Sequence, residues 1–228
     1  MPLELFNVIS PVLFIALGGY LWVKLGYDFP KEFVTRLNMN LGAPCLVFVG
    51  LLSLGQDLSS LSTFIFASFI AISLMLIVTT IFVFVTGLPK RGYIISLSSS
   101  NCGNMGIPLC LFAFGDIGMS FAIAYFTVGS FFQFTVALFI SHGNLKPGSL
   151  IRVSLLWGIF AALFFILTER SPPTWLMNTT ELLAGVTIPL MLLTLGASLA
   201  TLKVVKFGKI FSIGLLKMAL GMSIGIAT

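Results

Sequence analysis

The stretch Ser98-Ser99-Ser100-Asn101-Cys102-Gly103-Asn104-Met105-Gly106-Ile107-Pro108 decides how this chain is read. It interrupts an apolar segment, residues 93–114, that is otherwise long enough to cross a bilayer. Two asparagines, two glycines and a proline are costly in hydrocarbon. Backbone groups freed there must find partners inside the protein or in a water-filled cavity. Many secondary transporters build a substrate site near the bilayer midplane from discontinuous helices of this kind. The stretch therefore predicts transport, and predicts its own position as the site.

The surrounding composition sets the environment. The 228 residues are 58% hydrophobic and 8% charged, with mean hydropathy +1.11. A soluble domain carries about 25% charged residues. So much apolar surface has no soluble core to enter at this length, and the composition specifies an all-α integral membrane protein. Outward from the interrupted stretch, the pattern gives about eight transmembrane helices: 3–23, 34–55, 62–87, 93–114, 118–141, 149–168, 175–199 and 207–227. Each is near the ~20 residues a bilayer requires. The loops between them are short and hold turn or polar residues, such as Gly26 to Lys31, Pro89 to Gly92, Gly115 to Gly118 and Thr168 to Pro173. The first run has no basic region before it and reads as a retained helix, not a cleaved leader.

The net charge of +5 does not indicate a nucleic-acid partner, because the basic residues sit in the loops. Lys24, Lys31, Arg36, Lys90, Arg91, Lys146, Arg152, Lys203, Lys206 and Lys209 fall on one side of the membrane, and Arg170 alone on the other. The basic side is cytoplasmic by the positive-inside rule, which places the N-terminus outside and predicts a multi-pass protein of the cytoplasmic (inner) membrane. Trp22 and Trp175 fit interface anchoring.

Several chemistries find no support. Cys45, Cys102 and Cys110 lie in apolar runs without a CxxC pair, and His142 is the single histidine. A metal site needs more ligands than this. No Walker or dinucleotide pattern is present. With one loop histidine there is no set of nucleophile and base for catalysis, so no enzyme activity and no cofactor are expected.

The candidate site residues follow from the interruption. Asn101 and Asn104 each offer a donor and an acceptor, and can hold a carboxylate without placing a fixed charge in the membrane. Half-helix N-termini add N–H groups and partial positive charge. Gly103, Gly106 and Pro108 make the break. The competing reading is that the asparagines satisfy freed backbone or hold helices together. Ser98, Ser99 and Ser100 either line the same cavity or serve close packing. Pro44 in span 2 and Pro189 in span 7 are expected to kink their helices as hinges. Gly18, Gly19 and Gly196 read as close-packing positions. Lys217, inside span 8, is costly at depth and is either a charge partner or a snorkelling side chain. Glu181, early in span 7, either titrates during transport or sits among headgroups. Asp57 and Asp116 read as loop charges at outer helix ends.

A weak internal echo joins Gly42-Ala43-Pro44-Cys45-Leu46 to Thr187-Ile188-Pro189-Leu190-Met191. The two spans are five apart, which places them in opposite orientations, as in an inverted repeat.

Asn101 through Leu109 followed by Phe114-Gly115-Asp116 resembles the fourth-helix motif of the auxin efflux carrier family. Pro11 through Gly18-Gly19-Tyr20-Leu21 is similar to its first helix, Leu41-Gly42-Ala43-Pro44 to its second, and Ile188 through Gly196-Ala197-Ser198-Leu199 to its seventh. The short central loop, Ser141 to Arg152, is like that of compact bacterial members. The resemblance implies a secondary carrier of organic anions built from two inverted five-helix repeats, with the broken fourth and ninth helices crossing at the site. It divides the chain into a complete first repeat, 1–142, and the first three helices of an incomplete second repeat, 149–228, lacking the last two helices. The expected function is movement of a small organic anion, a carboxylate such as malate, malonate or an auxin-like acid, by alternating access. The alternative is a truncated, non-transporting membrane protein or a subunit that needs a partner chain. The expected partners are the substrate and the lipid bilayer. A coupling ion, proton or sodium, and assembly into a homo-oligomer are left open.

Overall fold

In the computed structural model, residues 2–54, 58–142, 153–202 and 207–228 are described. Residues 143–152 and 203–206, which hold most of the central loop with Lys146, Arg152, Lys203 and Lys206, lie outside them, as does Asp57. Among the described residues every regular element is helical. In chain order these are α1 (Pro2–Lys24), α2 (Lys31–Leu37), a π turn (Asn38–Gly42), α3 (Ala43–Leu54), α4 (Leu58–Thr86) and α5 (Lys90–Ser98). A second π turn (Cys102–Gly106) then leads into α6 (Ile107–His142), α7 (Ser154–Leu167), α8 (Thr174–Thr201) and α9 (Phe207–Ala227).

Among the described residues, five stretches are long and apolar enough to cross a membrane: Phe6–Lys24, Lys31–Ser53, Ser62–Thr86, Gly92–Gln133 and Thr174–Thr201. Two shorter apolar helices, Ser154–Leu167 and Phe211–Ala227, accompany them. The fourth stretch holds two of the spans expected from sequence. Gly115, at φ 65° and ψ −156°, leaves helical geometry inside α6 and separates them. A left-handed φ of this kind is open to glycine at little cost, which is why the predicted loop falls there.

Helices dominate because in lipid every backbone donor must be satisfied within its own segment. Hydroxyl side chains are absorbed in the same way. Thr79 donates to the Met75 carbonyl at 2.6 Å, Thr187 to Leu183 at 2.7 Å and Thr194 to Leu190 at 2.7 Å. A threonine four residues from its acceptor carries no unpaired hydroxyl into the apolar phase. Large apolar side chains such as Phe66, Val85, Phe160 and Leu182 are exposed, as lipid-facing residues are.

The described chain packs as two units. The first comprises Met1–Leu61, Asn101–Thr127 and Ile151–Leu202, and the second Ser62–Ser100, Val128–Leu150 and Lys203–Thr228. The division cuts the interrupted span between Ser100 and Asn101, so the two half-helices belong to different units. Each unit draws on both sides of the central loop, a grouping by packing that differs from the sequence division at 142/149.

In the first unit α1 and α8 cross with their backbones in contact. A Cβ on Gly196 would run into the Ala16 carbonyl, and one on Gly19 into the backbone of Leu193. Small residues let backbones approach this closely, and in lipid such packing replaces the hydrophobic drive of water. Gly18 meets only the Leu193 side chain at ordinary distance. On the next contact, Gly158 of α7 packs against the backbone of Pro44, and Phe48 of α3 meets Phe165 edge-on with ring centroids 6.0 Å apart. The second unit has its own apolar cluster: Val83 of α4 with Ile94 and Leu97 of α5, against which Ile213 of α9 packs.

α8 runs antiparallel to α2 and the π turn after it. Lys31 Nζ donates to Thr201 Oγ1 at 2.6 Å, while Asn38 Nδ2 donates to the Thr187 carbonyl at 3.4 Å. Spans 2 and 7 therefore run in opposite directions, as their odd separation in sequence requires. The loop holding Lys31 and the end of α8 meet on one side.

Candidate functional site: the interrupted fourth span

The interruption is a true chain break of the helix. α5 closes with Ser99 N–H donating to the Ile95 carbonyl at 3.0 Å, and Ser99 itself is extended, at φ −88° and ψ 127°. Ser100 is outside helical geometry, and Asn101 stands at φ −82° and ψ 53°. The next helix starts at once. The Asn101 carbonyl accepts from both Met105 and Gly106 N–H at 3.2 Å, so the opening turn is wide, a π turn.

Proline explains the wide turn. Pro108 has no N–H, and its ring pushes against the carbonyl four residues back, that of Asn104. Adding a residue to the turn moves that carbonyl aside. The same construction precedes Pro44, where the π turn Asn38–Gly42 sets the Asn40 carbonyl aside. The two sequences share Asn, Gly and Pro at the same spacing: Asn40-Leu41-Gly42-Ala43-Pro44 and Asn104-Met105-Gly106-Ile107-Pro108. The sequence reading missed this repeated Asn-x-Gly-x-Pro, which would have pointed to Asn40.

The predicted residues divide by position. Asn101 is exposed, is the first residue before the half-helix and makes no side-chain cap hydrogen bond. Asn104 is half-buried in the π turn. The first N–H groups of a helix have no acceptor within it, and they lie beside Asn101. Gly103 is buried, and a Cβ there would sit 3.0 Å from the Phe126 ring edge. Gly106 has room for a Cβ, with Cys102 Cβ at 3.5 Å. The break falls at Ser99–Asn101, ahead of Pro108. Pro108 is fully buried in the first turn of α6, where it shapes the backbone and offers no surface to a solute.

The hinge candidates are separate in kind. Pro44 follows a π turn. Pro189 lies inside α8, which is helical from Thr174 to Thr201. α8 packs against the π turn Cys102–Gly106 as well as against Asn38–Gly42, so one long helix supports both proline turns. Glu181 is exposed on α8, two turns before Pro189. Lys217 belongs to the second unit. Its Nζ donates to the carbonyls of Ser96 at 2.8 Å and Ser99 at 2.5 Å. The interface readings of the tryptophans are compatible with their exposure. Trp22 donates to the Asp28 carbonyl at 3.0 Å and leans on Tyr27, and Trp175 opens α8.

Cys45, Cys102 and Cys110 are half-buried and form no disulfide. No group of three metal-ligating side chains occurs among the described residues.

Among the described residues the chain is all helical, with several stretches apolar and long enough to cross a membrane and one of them broken at polar residues. A family model described as "Membrane transport protein" matches residues 5–151, well over half the chain and all of the interrupted span. The chain belongs to this family, the auxin efflux carrier type of membrane transporter. No curated protein and no solved structure matches it.

Proposed function

We propose that this chain is a secondary carrier that binds a small organic anion at the interrupted span and moves it by alternating access. The observation that carries the reading is the start of the second half-helix. Asn101 is exposed there without a cap bond, Asn104 follows within one turn, and the helix N-terminus adds donors and partial positive charge. A carboxylate is the complementary ligand. The two amides bind it without a permanent buried cation, which would hold the anion too tightly to release. Family membership supports transport rather than catalysis. The substrate is a mono- or dicarboxylate in this reading, the membrane is the cytoplasmic one, and the N-terminus lies outside. The Lys31–Thr201 contact supports the part of that topology that puts both basic loops on one side.

The repeat reading belongs to the same proposal. Residues 1–142 form one five-helix repeat and 149–228 the start of its inverted copy, with Pro44 and Pro189 in matching spans. The antiparallel course of α2 and α8 supports it.

Uptake of radiolabelled acids by the purified chain in liposomes tests the carrier reading. Accumulation of at least one carboxylate, reduced in Asn101→Ala and Asn104→Ala proteins that remain folded, is the expected result. A well-folded chain that moves none of a broad acid panel would overturn it, and would leave a non-transporting subunit as the reading.

A further inference from the structure

Lys217 is an ionisable residue in the middle of an apolar helix, and among the described residues it is not paired with a carboxylate. Its ammonium group is given over to two backbone carbonyls, those of Ser96 and Ser99. These are the carbonyls that the break sets free. Ser96 lies in the last turn of α5, where helix carbonyls have no intrahelical donor. Ser99 is extended, so its carbonyl turns away from the helix axis. Ile213, one turn before Lys217, packs against the Val83, Ile94 and Leu97 cluster, which holds α9 in register with the end of α5.

The end of a helix carries a partial negative charge. In carriers built on broken helices, unwound carbonyls and half-helix C-termini are where free cations are coordinated. Here a lysine reaches those oxygens from another helix. An ammonium is a compact point charge with three donors, close in its demands to an alkali cation. Its burial in lipid is costly, and two carbonyl bonds with a helix C-terminus offset that cost.

We propose that Lys217 is a tethered cation occupying the carbonyl cradle at the end of α5, in the place a free alkali cation would otherwise fill. This end of the broken span accordingly takes no sodium while the lysine is present. Removing the ammonium opens the cradle to a monovalent cation.

Thermal unfolding of the purified chain in detergent, in sodium chloride against N-methyl-glucamine chloride at equal ionic strength, tests the proposal. The native chain and Lys217→Arg should melt at the same temperature in both salts. Lys217→Met should melt several degrees lower in N-methyl-glucamine, a shift of the size that one lost polar contact gives, and should recover at least half the loss in sodium. A Lys217→Met protein equally stable in both salts overturns the proposal, and so does one that cannot be recovered folded in sodium while Lys217→Arg can. The native chain gives a reading that needs no variant: sodium should not change amide hydrogen exchange across residues 96–100, and protection by sodium there would show a free-cation site beside the lysine. None of these measurements involves transport. A chain that carries no acid leaves them decisive, and the carrier reading can fail without this one.

Discussion

The chain contains Asn-x-Gly-x-Pro twice and folds it into the same π turn twice, yet only one of the two turns follows a broken helix. At Asn40–Pro44 the turn joins α2 to α3 without interruption. At Asn104–Pro108 it begins a new helix after three non-helical residues. The shared Asn, Gly and Pro therefore produce the widening and not the break. The difference lies just upstream. Thr35-Arg36-Leu37 continue a helix, whereas Ser99-Ser100-Asn101 are small and polar, and residues of this type offer the backbone local alternatives to helix hydrogen bonds.

The surroundings differ as well. The first turn is pinned. Asn38 is buried with its amide on the Thr187 carbonyl, and Asn40 Oδ1 accepts from Ser154 Oγ at 2.7 Å. The second turn presents Asn101 in the open and Asn104 half-covered. The asparagines of the first turn are bonded to neighbouring helices, whereas at the second Asn101 is exposed and Asn104 half-buried, the setting on which the proposed solute site rests.

The largest expected effect breaks the comparison at its asparagines. Asn104→Ala should lower uptake about tenfold or more, the worth of one hydrogen bond to a charged group. Asn40→Ala should stay within about twofold, because only a bond to Ser154 is lost. Equal losses in the liposome assay would mean that the two copies do the same job.

The next test compares the matched glycines. A Cβ on Gly42 would run into Thr187 Oγ1 and come within 3.1 Å of Asn38 Oδ1. Gly42→Ala should therefore destabilise the chain by about 1–3 kcal/mol. Gly106→Ala meets only ordinary contacts on a helical backbone, and should stabilise by about 0.5–1 kcal/mol. Thermal melts in detergent read both, and a shift of the same sign would remove the distinction.

A smaller effect is expected at Asn38. Its bond to Thr187 is long, so Asn38→Ala should cost about 1 kcal/mol, with uptake retained once the protein is folded. A loss of uptake without loss of stability would extend the site to the first turn.

Much of the architecture was legible because it rests on local terms. Apolar run lengths placed six of the eight expected spans on stretches long enough to cross a membrane, including the two that merge across Gly115, whose positive φ marks the turn, while those expected at 149–168 and 207–227 fall on the shorter apolar helices. The glycines of α1 and α8 read as packing positions, and Gly19 and Gly196 are two backbones in contact. The break was located to within a few residues, but its cause was misassigned to Pro108. A proline's effect on the turn before it is visible in sequence, whereas the extended course of Ser99 to Asn101 depends on what each half-helix packs against. Lys217 was seen as costly, but its acceptors were not, since they lie 118 and 121 residues away.

By itself, the order of apolar and polar residues determined a helical membrane protein with a polar interruption in its fourth span, because apolar runs of ~20 residues fit a bilayer as helices that satisfy their own backbone. Tertiary structure alone decided which asparagine is spent on a neighbouring helix, which is exposed, and which carbonyls receive the lysine. Those outcomes depend on distances between segments remote in the chain, and no local propensity encodes them.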